Sequence, residues 1–130
     1  MLRVPQFTVV DDDNPVLLLL RHVLSKAFPA CQINSFLRSE LALWHIQHHG
    51  TDLLITDHNL GPMQGTDLIR HLRERNFDAP IIMISNDPKA REEALQIGAN
   101  AFMDKGSILK ELPELVHDLL KEHLAADKPH

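Results

Sequence analysis

Phe7-Thr8-Val9-Val10-Asp11-Asp12-Asp13-Asn14-Pro15 is the stretch on which the fold turns. Its first four residues form a short apolar run of strand type, after which the polarity inverts into three consecutive aspartates. Asn14 is a good helix N-cap and Pro15 a good first helical residue, because proline's fixed φ suits the first turn and its missing N–H would have no partner there anyway. A strand that runs straight into a helix, with carboxylates at the junction, predicts one unit of an alternating chain.

Four more such units follow. A helix to about Phe28 stops at Pro29, a strand is expected at about Gln32 to Phe36, and Ser39 caps a second helix that Gly50 ends. In that helix Leu41, Trp44 and Ile46 are the expected apolar contacts. A third strand at Leu53 to Thr56 carries Asp57 at its carboxyl end, and a Gly-Pro loop leads to a helix whose inner face is Leu68, Ile69 and Leu72. Pro80 opens an unbroken apolar run, Ile81 to Ser85, of the kind shown by parallel strands buried on both faces. Asp87 and Pro88 start a fourth helix ended by Gly98, a short strand is expected at about Ala101 to Met103, and Leu112, Leu115, Val116, Leu119 and Leu120 recur at helical spacing in the last helix. Strict alternation of this kind implies parallel strands joined by right-handed crossover helices, a doubly wound α/β sheet. One domain over residues 1–130 is expected, with a core at about 7–124 and loose ends at Met1 to Gln6 and Ala126 to His130.

Composition bounds the function. With 130 residues and 44% hydrophobic content the chain can build a core without staples. The single Cys31 cannot form an internal disulfide and reads as a buried thiol in a reduced compartment. No run approaches the roughly 18 to 20 apolar residues that span a bilayer, and no signal-peptide pattern opens the chain. A cytoplasmic protein without membrane contact is therefore expected. A net charge of −5 without a Lys/Arg stripe argues against direct nucleic-acid binding.

Ligands of open parallel sheets bind beyond the carboxyl ends of the strands. Those ends carry Asp11 and Asp12, Asp57, Ser85, and, after the last strand, Lys105. Three converging carboxylates repel one another unless a cation neutralises them, and an all-oxygen donor set suits Mg²⁺. Adding an ammonium and a hydroxyl provides what a phosphoryl group needs, with Asp57 as nucleophile.

Taken together, Val9-Val10-Asp11-Asp12, Asp57 followed by Leu60, Met63 and Gly65, Pro80-Ile81-Ile82-Met83-Ile84-Ser85, and Gly98-Ala99 leading through Phe102 to Lys105 resemble the receiver domain of two-component response regulators over about Phe7 to Leu124. The resemblance implies a flavodoxin-like (βα)5 fold with strand order 2-1-3-4-5. It makes Asp57 the phosphoacceptor, Asp12 a direct Mg²⁺ ligand, Asp11 a ligand mainly through water, and the backbone carbonyl of Asn59 a further ligand. Ser85 and Lys105 would bind phosphoryl oxygens, and Phe102 with Ser85 would form the switch to the face of the fourth helix, fifth strand and fifth helix. It further implies a signalling domain that promotes its own aspartyl phosphorylation and dephosphorylation, rather than an enzyme acting on a separate substrate. The implied partners are a sensor histidine kinase or histidine phosphotransfer protein, a downstream protein target, and a second copy on phosphorylation.

Three departures from the family pattern bear on the loops. Gly61 precedes Pro62 where the family has proline first, Asn86 replaces a small residue beside Ser85, and Gly106 replaces the proline after Lys105. Since a non-proline cis bond costs about 2.5 to 4 kcal/mol, a trans bond and a repositioned loop are expected there. A small haloacid-dehalogenase-like phosphohydrolase is an alternative, because Asp11-Asp12-Asp13 resembles its Asp-x-Asp motif, but Asp57 would then have no role. A phosphorylation-independent pseudo-receiver is another. Asp13 reads as a turn residue.

Nine histidines include His45, His48 and His49, but a zinc site would need a third ligand that the sequence does not supply. In the first helix Val16, Leu19, Leu20, Val23, Leu24 and Ala27 form the expected inner stripe, leaving Leu18 opposite and Leu17 at its edge as a docking patch beside the site.

Overall fold

The computed structural model describes residues 4–126. Five strand–helix units follow one another: β1 (Gln6–Val10), α1 (Asn14–Ala27), β2 (Gln32–Phe36), α2 (Ser39–His49), β3 (Leu53–Asp57), α3 (Gly65–Glu74), β4 (Ile81–Ser85), α4 (Ala90–Gln96), β5 (Ala101–Asp104) and α5 (Ile108–Ala126), with a 3₁₀ turn at Lys105–Ser107 leading into α5. All pairings are parallel and the strand order is β2-β1-β3-β4-β5. This is the doubly wound, flavodoxin-like arrangement that the alternation and the resemblance imply.

The apolar runs at 53–55 and 81–84 are continuous because β3 and β4 lie inside the sheet with helices on both faces; every residue of both strands is buried. One core joins Phe7, Val9, Leu53, Ile55, Ile82 and Ile84 to α1 and α5. The other joins Val10, Leu54, Ile81 and Met83 to α2, α3 and α4. Register then places the chemistry. Val10 sits beside Thr56, Asp57 beside Ile84 and Ser85 beside Asp104, so the residues that follow each strand emerge along one rim.

Several expectations are corrected. Leu17 is 7% exposed and belongs to the α1–α5 core, whereas Leu18 is 67% exposed. The buried sector of α1 is wider than a stripe facing the sheet because this helix also packs against α5; Ala27, at its end, is exposed. Helix α2 buries Ser39, Ala42 and Ile46, and turns Leu41 and Trp44 outward. The N-cap of α1 is Asp13 rather than Asn14, and that of α2 is Arg38 rather than Ser39. Gln6, expected in a loose end, opens β1, and Ala126 closes α5; Met1 to Arg3 and residues 127–130 lie outside the described residues. Cys31 is only half-buried. No helix among the described residues is long and apolar enough to cross a membrane.

Candidate functional site

The rim is built by two central strands and the two that flank them. Asp11 directly follows β1, Asp57 ends β3, Ser85 ends β4 and Lys105 directly follows β5. Asp11, Asp12 and Asp57 bring carboxylate oxygens within 4.8 Å of one another, with Asp11 and Asp57 buried and Asp12 exposed. Lys105 Nζ lies 3.0 Å from Asp11 Oδ2 and 3.2 Å from Asp57 Oδ2. The contact to Asp11 Oδ2 is an ion pair without hydrogen-bond alignment, and that oxygen has no other hydrogen-bond partner. Asp11 Oδ1 accepts the Asp13 N–H at 2.9 Å, and Asp57 Oδ1 accepts the His58 N–H at 2.8 Å.

The electrostatics follow from this geometry. Burial pushes the Asp11 carboxyl above its ordinary value, with the charge of Asp57 adding to the rise, while Lys105 and the Asp13 amide oppose it. Burial alone would pull the Lys105 ammonium down, yet Asp11 and Asp57 outweigh it and raise the net value. One ammonium faces three carboxylates, so the rim carries surplus negative charge. An all-oxygen acidic cluster of this spacing, partly buried and holding an unaligned carboxylate oxygen, fits a hard divalent cation.

The other expected site residues are placed as follows. Ser85 is 3% exposed and its Oγ accepts the Asp87 N–H at 3.0 Å, which leaves the hydroxyl proton free to donate. Asn59 is exposed on the loop after β3, with its side-chain oxygen 3.2 Å from His58 Nδ1. Phe102 is half-buried against the second core and lines a groove with Pro88, Arg91, Ser107, Glu111 and Leu115. The peptide bond between Lys105 and Gly106 is trans, and the chain turns at once, Asp104 Oδ2 accepting the Gly106 N–H at 2.8 Å. In the loop after Asp57, Gly61 takes φ +85°. His45, His48 and His49 form an aromatic cluster with Trp44 and Phe36, and the only group of three metal-ligating side chains among the described residues is the aspartate cluster.

The structural roles of two residues escaped the sequence reading. Gly65 brings the first turn of α3 against β3: a Cβ there would overlap the backbone carbonyl oxygen of Asp57. Its glycine is legible as part of the family pattern, but not as a steric requirement. Gln64 accepts the Leu60 N–H on Oε1 at 3.1 Å and ties down the loop; no periodicity marks such a residue.

A doubly wound domain whose acidic rim is faced by a half-buried lysine defines the class. The chain belongs to the response regulator receiver domain family, which it matches over residues 7–117. This is a family of signalling domains whose members accept phosphorylation and interact with histidine kinases or phosphotransfer proteins. Among curated relatives, the phosphate regulon transcriptional regulatory protein PhoB of Rhizobium meliloti is 31% identical over 121 residues, covering 90% of this chain and 52% of the relative. The heme response regulator HssR of Staphylococcus saprophyticus is 28% identical over 117 residues, covering 88% of this chain and 51% of the relative. The chain thus spans about half the length of these two relatives. A CheY-like receiver domain protein of Methanospirillum hungatei superposes with a TM-score of 0.86 at 21% identity, covering 95% of this chain and 99% of that one, which shows the shared fold.

Proposed function

We propose that Asp57 accepts a phosphoryl group from a phosphohistidine of a sensor histidine kinase or histidine phosphotransfer protein. The observation that carries this reading is the Lys105 ammonium set between Asp11 and Asp57 at the mouth of the three-carboxylate cluster. A carboxylate oxygen of Asp57 attacks phosphorus, the P–N bond of the donor breaks, its electron pair returns to the imidazole, and an acyl phosphate forms. Asp12, Asp57 and the Asn59 carbonyl, with Asp11 acting mainly through water, would hold a Mg²⁺ ion, which when bound neutralises phosphoryl oxygens and relieves carboxylate repulsion. Lys105 pairs with the transferred group's oxygens, and the Ser85 hydroxyl donates to one of them.

Output follows from the same parts. Movement of Ser85 toward the phosphoryl group opens space for Phe102, which changes the groove between α4, β5 and α5 and so the affinity for a downstream protein or a second copy. Leu18, exposed on α1 near the rim, is the docking contact for the phosphodonor; Leu17, buried, is not part of it. The protein acts in the cytoplasm, and the described residues form one receiver domain.

The test is incubation with a small phosphodonor and Mg²⁺, followed by intact mass. Wild type should gain one phosphoryl group that Asp57→Asn cannot take up. An adduct on Asp11 would favour phosphohydrolase chemistry, and no adduct under any condition would leave a pseudo-receiver.

A further inference from the structure

We propose that Gln64 is a positioning residue that fixes the Asn59–Leu60 peptide so that the Asn59 carbonyl is presented to a divalent cation at the aspartate cluster. The inference rests on the cation reading given above. Gln64 precedes α3, five residues after Asn59, and its Oε1 accepts the Leu60 N–H at 3.1 Å. Its own backbone is held in turn, since Asp67 Oδ2 accepts the Gln64 N–H at 2.9 Å. The adjacent Gly65 N–H donates to the His58 carbonyl at 2.9 Å, and the Leu60 side chain is buried at 2% exposure. The loop is therefore pinned on both sides of Asn59.

A trans peptide is a rigid plane whose N–H and C=O point to opposite edges. With the Leu60 N–H turned onto Gln64, the Asn59 carbonyl is turned away from it and cannot rotate without breaking that bond. The Asn59 side chain is engaged elsewhere, with His58. Orientation matters because Mg²⁺ demands near-octahedral geometry at about 2.0 to 2.1 Å, so a carbonyl free to swing is a poor ligand. Gln64 also forms a capping box with Asp67 at the start of α3, but that role does not call for its length: Ser, Thr, Asp and Asn are the preferred N-caps, whereas only a longer side chain spans from the start of α3 back to Leu60. Gln64 thus acts on the cation through a hydrogen bond to a liganding peptide.

Mg²⁺ titration by calorimetry, without phosphodonor, tests this on wild type, Gln64→Asn, Gln64→Glu and Asp12→Ala, with metal-free melting temperatures alongside. Asn keeps a good cap but cannot reach Leu60, so its Mg²⁺ affinity should fall about tenfold at an unchanged melting temperature. Glu keeps an oxygen at the same reach and should bind Mg²⁺ at least as tightly as wild type. Wild-type affinity in Gln64→Asn, while Asp12→Ala loses binding, would overturn the positioning role and leave the cation site standing. Equal affinity of wild type and Asp12→Ala would overturn the cation reading and this inference with it.

Discussion

The two ends of the sheet treat buried charge in opposite ways. At the end where the strands begin, Arg73 of α3 reaches between the loops that lead into β4 and β5. Its Nε and Nη2 donate to the Gly98 carbonyl at 3.0 and 2.9 Å, Nη1 to the Phe77 and Ala79 carbonyls at 2.7 and 2.9 Å, and Nη2 to Asn100 Oδ1 at 2.9 Å. A guanidinium has five N–H donors, and these five bonds match that capacity. At the other end, three carboxylates converge, two of them, Asp11 and Asp57, share one ammonium, and Asp11 Oδ2 lacks an aligned donor. A saturated charge stabilises the fold in which it sits. An undersatisfied cluster is held in place by the fold at a cost and is completed by something that binds. Loss at the base should therefore lower stability without touching chemistry, and loss at the rim should do the reverse.

The sharpest attempt to break this contrast is Arg73→Ala, which strands three buried or half-buried carbonyls. A loss of about 3 to 5 kcal/mol in unfolding free energy is expected, with Mg²⁺ affinity of the remaining folded protein unchanged. Urea unfolding and calorimetry measure the two; a stable variant with weakened Mg²⁺ binding would invert the assignment of the poles. At the rim end, Leu18→Asp removes an apolar contact worth roughly 1.5 to 3 kcal/mol when covered by a partner. Phosphotransfer from a cognate protein donor should slow about tenfold or more, while a small-molecule donor and the melting temperature are unaffected. Equal slowing with both donors would point to a damaged site instead.

The smallest effect has the opposite sign. Because the Asp11 carboxyl is raised in the folded state, the folded protein binds more protons than the unfolded one between 3.8 and the raised value. Ionised Asp11 therefore costs stability at neutral pH. That cost is absent below 3.8, appears as pH rises through the window, and is constant above it. Asp11→Asn should stabilise the metal-free protein at neutral pH, with the difference from wild type shrinking as pH falls through the same window. An Asp11→Asn protein less stable than wild type at pH 7 would mean that the Lys105 contact outweighs burial.

What could be read in advance follows the same division. The strands were legible because β3 and β4 are buried on both faces, which leaves unbroken apolar runs, and the rim was legible because parallel strands deliver their ends to one side. Helix faces were less so. Helix α1 meets a second helix as well as the sheet, which drew Leu17 inward, and α2 carries apolar residues on both faces, so Leu41 and Trp44 could not be told from Ala42 and Ile46 by type alone. The Arg73 clamp and the Gln64 bond were invisible for a different reason. All but one of their partners are main-chain groups: carbonyl oxygens, which every residue offers, and one N–H, which every residue but proline offers.

That anonymity has an evolutionary consequence. Four of the five bonds made by Arg73 end on main-chain oxygens of Phe77, Ala79 and Gly98, so the clamp sets the path of the chain there without dictating which side chains it carries. Residues 77 and 79 can drift under the weaker constraint of filling the core, whereas position 98 is fixed by contact, since a Cβ would lie 2.7 Å from Arg73 Cγ. Descendants of this domain can thus diversify the base of the sheet at little risk to the chemistry at its rim, provided that one arginine and one glycine are inherited together.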